Sequence, residues 1–100
     1  MRNTYKIVWS DEALKNLKKI IEYLEEAWTT KEIRKFARLL DKRLDLLIDN
    51  PYSFQESDKS NGIRKSVLTK QISIFYKIDE QRIDILSLFD NRQNPTRLKF

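Results

Sequence analysis

The side chains in this sequence that can do chemistry are cationic. Arg64, Lys65, Lys70 and Arg92 fall in one stretch of the chain, and guanidinium and ammonium groups bind phosphates and carboxylates and can offset charge that develops on a reacting phosphoester. They lack an obvious proton-transfer partner. The 100 residues include no His and no Cys, which removes the side chain that ordinarily titrates near neutrality, the thiolate nucleophile, the disulfide and the usual zinc ligands. No metal and no cofactor is therefore expected, and the available chemistry is recognition of negative charge.

That charge is unevenly placed. Residues 1–58 carry 11 Lys/Arg and 11 Asp/Glu, whereas residues 59–100 carry 9 and 4, so the whole net charge of +5 lies in the last part of the chain. A one-sided basic surface suits nucleic acid or an acidic protein segment; its ordinary alternative is a soluble surface. Arg64 and Lys65 are adjacent, so on a strand they point to opposite faces and only one can face a site; Arg64 is the one expected there. Lys70 and Lys77 add to the same surface or guard a sheet edge. Arg92 either projects over the open edge of a sheet or pairs with Asp90 or a helix carboxylate. Lys15, Lys18 and Lys19, opposite Glu22, Glu25 and Glu26, read as a solvated helix surface.

The elements that must position these residues follow from periodicity. Tyr5, Ile7 and Trp9 alternate with Lys6 and Val8, predicting a strand at 4–9. Ser10 is a helix cap, and Leu14, Leu17, Ile20, Ile21, Leu24 and Trp28 predict a helix over 11–27. Thr29 and Glu32 suggest a capping box. A second stripe through Ile33, Phe36, Ala37, Leu40, Leu44, Leu47 and Ile48 predicts a helix ending at 49, before Asn50-Pro51. The short link makes the two an antiparallel hairpin that covers a sheet. Residues 51–61 read as an ordered loop anchored by Tyr52 and Phe54, closing on the Asn61-Gly62 turn signal. Strands are predicted at 63–68, 72–78 and 83–89 as an antiparallel meander, the last one central because it is apolar on both faces near Leu86, Leu88 and Phe89. Trp9, Trp28, Tyr23, Tyr76 and Phe75 fall within apolar patterns and are assigned to the core rather than to base stacking.

The expectation is thus one α+β domain over 1–100, in the order β-α-α-β-β-β, with a helical hairpin on a small, mainly antiparallel sheet. No stretch approaches the ~18 apolar residues of a membrane span, and Met1-Arg2-Asn3-Thr4 leads straight into a strand with no apolar signal region. A cytoplasmic protein without membrane contact is expected.

The strings Tyr5-Lys6-Ile7-Val8-Trp9-Ser10-Asp11-Glu12-Ala13, Ala13-Leu14-x-x-Leu17-x-x-Ile20-x-x-Tyr23, Asn50-Pro51, Ile74-Phe75-Tyr76-Lys77-Ile78 and Ile85-Leu86-Ser87-Leu88-Phe89-Asp90-Asn91-Arg92-Gln93-Asn94-Pro95, in that order and spacing, resemble the RelE/ParE toxin superfamily over nearly the whole chain. The resemblance implies a bacterial toxin neutralised by a cognate antitoxin. In the RelE-like branch it implies ribosome-dependent cleavage of mRNA, with an Arg a few residues before the aromatic of the third strand and a Tyr or His near the C-terminus. Here Ser73 stands at the first position, and the tail after Arg92 has neither Tyr nor His. Arg92 matches the Arg that follows the last strand in that branch, and Arg64 and Lys65 fall on its basic second strand. The ParE-like branch, which inhibits DNA gyrase without evident catalytic residues, fits the two departures. A basic binding module that keeps the fold without toxicity is the remaining alternative.

Overall fold

The computed structural model describes residues 5–27, 29–54 and 62–91. Strand β1 (Lys6–Trp9) leads into helix α1 (Asp11–Ala27), helix α2 (Thr30–Asp49) and a single 3-10 turn at Pro51–Ser53. Strands β2 (Ile63–Val67), β3 (Ile72–Asp79) and β4 (Arg82–Asp90) follow, and the four-stranded sheet has the order β1-β4-β3-β2. The α+β class, the element order and the interior place of the last strand are as the periodicity predicts. The meander β2-β3-β4 is antiparallel, and β1 pairs parallel to β4, with Ile7 opposite Ile83 and Trp9 opposite Ile85. The first strand starts at Lys6 among the described residues, and Trp28 lies outside them, as do the tail from Arg92 onward and the stretch 55–61.

Burial explains why these segments adopt their forms. On one face of the sheet Ile74, Tyr76, Ile83 and Ile85 are fully buried, beneath Ala13 and Leu24 of α1 and Phe36, Leu40 and Leu47 of α2. Covering such side chains stabilises by roughly 1.5–3 kcal/mol each, and the period-two strands and 3.6-residue stripes are the patterns that allow it. The opposite face has its own smaller apolar cluster of Ile63, Phe75 and Phe89, with Leu86 against it. Phe75 and Phe89 meet edge to face at 6.5 Å. The β3–β4 register slips between Phe75 and Tyr76, where Leu86 is the extra residue; such a bulge lets one strand serve two apolar faces out of strict alternation.

Two expectations are corrected. Thr29 caps α2 with its backbone in extended conformation, but its side chain makes no cap hydrogen bond, so the Thr29–Glu32 pair forms no capping box. Leu14 and Tyr23 are about half exposed, at 50% and 49%; they lie beside the buried Ala13–Leu24 stripe rather than in it, because helix spacing places Ala13, Leu17, Ile20 and Leu24 toward the sheet.

Beyond the end of β1, the flank of β4 is closed by side chains. Ser10 donates its N–H to Ile85 O and its hydroxyl to Leu86 O, each at 3.0 Å, and also accepts from Ala13 N as the cap of α1. Asn16 Oδ1 accepts from Leu88 N at 3.1 Å and from Ser87 Oγ at 3.0 Å. Replacing Asn16 by Ala leaves the buried Leu88 N–H unsatisfied; Asn16→Ala is expected to lower stability by about 1–3 kcal/mol in urea unfolding.

Tyr76 ties the sheet to the helix exit by donating its hydroxyl to Pro51 O at 2.6 Å. Burial pushes this phenol up to about 12, against the opposing pull of the Arg64 charge. Because the folded state holds the proton more tightly than the unfolded chain, the contribution is complete below pH ~10 and is lost as pH climbs toward 12. Urea midpoints of the parent and Tyr76→Phe should therefore differ most at neutral pH and converge in that window.

Candidate functional site: stacked arginines and the basic sheet edge

Strand β2 divides its cations between two faces. Arg64 and Ser66 turn toward the α2 and Pro51–Phe54 side, whereas Lys65 turns to the opposite face, beside Ile63 and Val67. Arg64 Nη1 donates to Phe54 O at 2.5 Å, and its guanidinium lies 5.0 Å from the Tyr52 ring centroid. From α2, Arg43 Nη1 donates to Ser66 Oγ at 2.6 Å and to Val67 O at 2.7 Å, and its guanidinium lies 5.5 Å from the Phe54 ring. The segment 51–54 is thus held between two arginines and the Tyr76 hydroxyl. Guanidinium planes on aromatic faces and charge-assisted bonds to carbonyls are stronger than neutral equivalents. Of the two expected anchors, Phe54 packs against the main core, while Tyr52 stays 62% exposed and is held by Arg64.

Arg43 was not among the residues singled out from the sequence. Its signal was its spacing: three residues after Leu40 and four before Leu47, it stands on the apolar side of α2, where a charge needs partners. Those partners are Ser66, Val67 and Phe54.

On the outer face, Lys65 is exposed, with Nζ 5.9 Å from the Phe75 ring. Lys70 is exposed in the turn from β2 to β3, where Thr69 Oγ1 accepts from Gln71 N and Ile72 N. The chain leaves β4 beside that turn, since Asn91 N donates to Gln71 O. Arg92, the next residue, lies outside the described residues. Ser73 is fully buried and donates its hydroxyl to Asn91 Oδ1 at 2.9 Å. Arg82, another cation of the sheet, is engaged by Asp84 at 2.7 Å and Asp79 at 2.8 Å.

This arrangement can hold negative charge, and the sequence supplies it with no imidazole or thiol. Tyr76, the buried phenol beneath this turn, is held protonated by burial well beyond neutral pH. Among the described residues no cluster of acidic side chains could hold a metal ion, and no helix is long and apolar enough to cross a membrane.

Comparison with known proteins places the geometry. The fold is similar to the chromosomal ParDE toxin–antitoxin system of P. aeruginosa, with a TM-score of 0.74 at 14% identity, over 89% of this chain and 98% of that chain. It is similar to E. coli YafQ in its complex with DinJ, with a TM-score of 0.63 at 14% identity, over 89% and 94%. It also resembles the YoeB dimer of Staphylococcus aureus, with a TM-score of 0.59 at 18% identity, over 86% and 95%. At these identities the likeness is one of fold. No curated protein matches the sequence. The model of the ParE toxin of the type II toxin–antitoxin system parDE matches residues 7–95, which is most of the chain and all of the sheet but Lys6. The chain therefore belongs to the ParE toxin family, within the RelE/ParE superfamily of type II toxins.

Proposed function

We propose that this chain inhibits DNA gyrase in the bacterial cytoplasm and that a cognate antitoxin holds it inactive. The observation that carries the reading is Ser73. It stands where the RNA-cleaving relatives are expected to carry an Arg, and here the position is sealed: the side chain is buried and its hydroxyl is spent on Asn91. With no imidazole anywhere in the sequence, cleavage of RNA would lack both a cation at that point and a proton donor poised near neutrality. A binding surface needs neither. The cations proposed to meet the target are Arg64, Lys65, Lys70 and Arg92, with Arg43 beside Arg64 on the Tyr52–Phe54 turn.

The test is direct. Purified chain added to gyrase should block supercoiling, and the same chain in a translating extract should leave mRNA uncut. Codon-phased cuts that require ribosomes, alongside normal supercoiling, would instead assign ribosome-dependent endoribonuclease activity. Harmless overexpression without any antitoxin would leave a non-toxic binding module. Replacing both exposed lysines, Lys65→Ala with Lys70→Ala, is expected to raise the concentration for half-inhibition about tenfold while the urea midpoint stays unchanged, since neither side chain is buried.

A further inference from the structure

The sheet ends on β1 at one side and on β2 at the other. The β4 flank beyond β1 is closed by Ser10 and Asn16. Among the described residues, the outer edge of β2 is closed at one point, where Arg43 binds Val67 O. The bond from Leu68 N to Ile72 O sets the phase of the antiparallel ladder: Arg64, Ser66 and Leu68 turn their main-chain groups toward β3, and Ile63, Lys65 and Val67 turn theirs outward. Among the described residues, the Arg43 bond is the one made to those outward groups from outside the strand.

The same three residues present their side chains on one face in the order apolar, basic, apolar, with Val67 53% exposed and Lys65 exposed. An open edge of this kind is a template for another strand. A second copy pairing antiparallel about Lys65 would set Lys65 against Lys65, and like charges directly opposite disfavour pairing; a carboxylate at that position favours it. The rest of the neighbourhood is cationic as well, with Arg43, Arg64 and Lys70 close in the chain or bonded to the strand.

We propose that the outer edge of β2 accepts, as an added strand, an extended acidic segment of a partner protein with the pattern apolar-x-Asp/Glu-x-apolar. The acid lies opposite Lys65, one apolar side chain covers the exposed Val67, and the other lies beside the already buried Ile63. Main-chain bonds to Ile63, Lys65 and Val67 supply affinity, and Lys65 supplies selectivity. On the reading above, the partner is the antitoxin, and the strand neutralises the toxin by covering Lys65.

The probe is a synthetic nine-residue peptide with the core Val-Thr-Glu-Thr-Val, whose symmetry serves either strand direction, measured by fluorescence anisotropy. Exchanging its Glu for Lys should weaken binding about fivefold, and Lys65→Glu in the protein should reverse the preference. N-methylation of one alternate set of peptide amides should abolish binding while the other set leaves it intact, a pattern that only strand addition produces and that requires no change to the protein. Equal loss from both sets, or binding indifferent to Lys65→Glu, overturns the proposal. So does protection of the Ile63 and Lys65 amides that rises with protein concentration in the absence of peptide, which would give the edge to a second copy. A chain that binds the peptide in this pattern yet leaves gyrase active overturns the target reading alone; a gyrase inhibitor that ignores the peptide overturns the edge alone.

Discussion

The hydroxyl of Tyr76 bonded to Pro51 O is the constraint on which the rest of the site depends. Tyr76 stands in the middle of an interior strand, fully buried beneath both helices, so its phenol marks a fixed point of the core. Pro51 ends the long second helix and begins the turn that carries Tyr52 and Phe54. One buried bond therefore sets the height of that turn above the sheet. Arg64 and Arg43 can then each reach an aromatic ring and a carbonyl at the same time. A buried phenol with a satisfied hydroxyl combines apolar packing with a directional bond, and this site uses both.

The framework was legible in the sequence because its signals are periodic. Alternation in Ile72–Ile78, the stripe Phe36–Leu40–Leu47 and the doubly apolar run around Leu86–Phe89 each imply one burial pattern, and the structure realises them. What was not legible depends on contacts between residues distant in the chain. Arg43 reads as one more helix charge until β2 is placed beside it. Ser73 reads as a missing Arg until Asn91 is seen to occupy its hydroxyl. Thr29 and Glu32 have the right spacing for a capping box, yet the cap is formed by backbone alone. Strand alternation puts Arg64 and Lys65 on opposite faces, and the structure adds that Arg64 bonds the aromatic turn while Lys65 meets solvent.

The net positive charge of the C-terminal part therefore separates into two roles. Arg64, with Arg43 from the helical part, binds carbonyls and rings and joins the 51–54 turn to the sheet. Lys65 and Lys70 are exposed on the strand and turn at the sheet margin. Counting charges along the sequence merges these roles, because the partition is made by strand alternation and by which side the helices cover.

The pairing of β1 with β4 orders events during synthesis. Lys6 lies opposite Arg82 and Trp9 opposite Ile85, so β1 waits for β4, and a long loop must close before that contact returns any stability. The helical hairpin and the β2–β3 pair can form from nearby residues, but the interior strand that joins them to β1 emerges late. A translation product that stops short of Arg82 lacks both the partner of β1 and the strand at the centre of the core. Termination before β4 therefore yields chains without the assembled surface, and the finished fold forms only after β4 has been made.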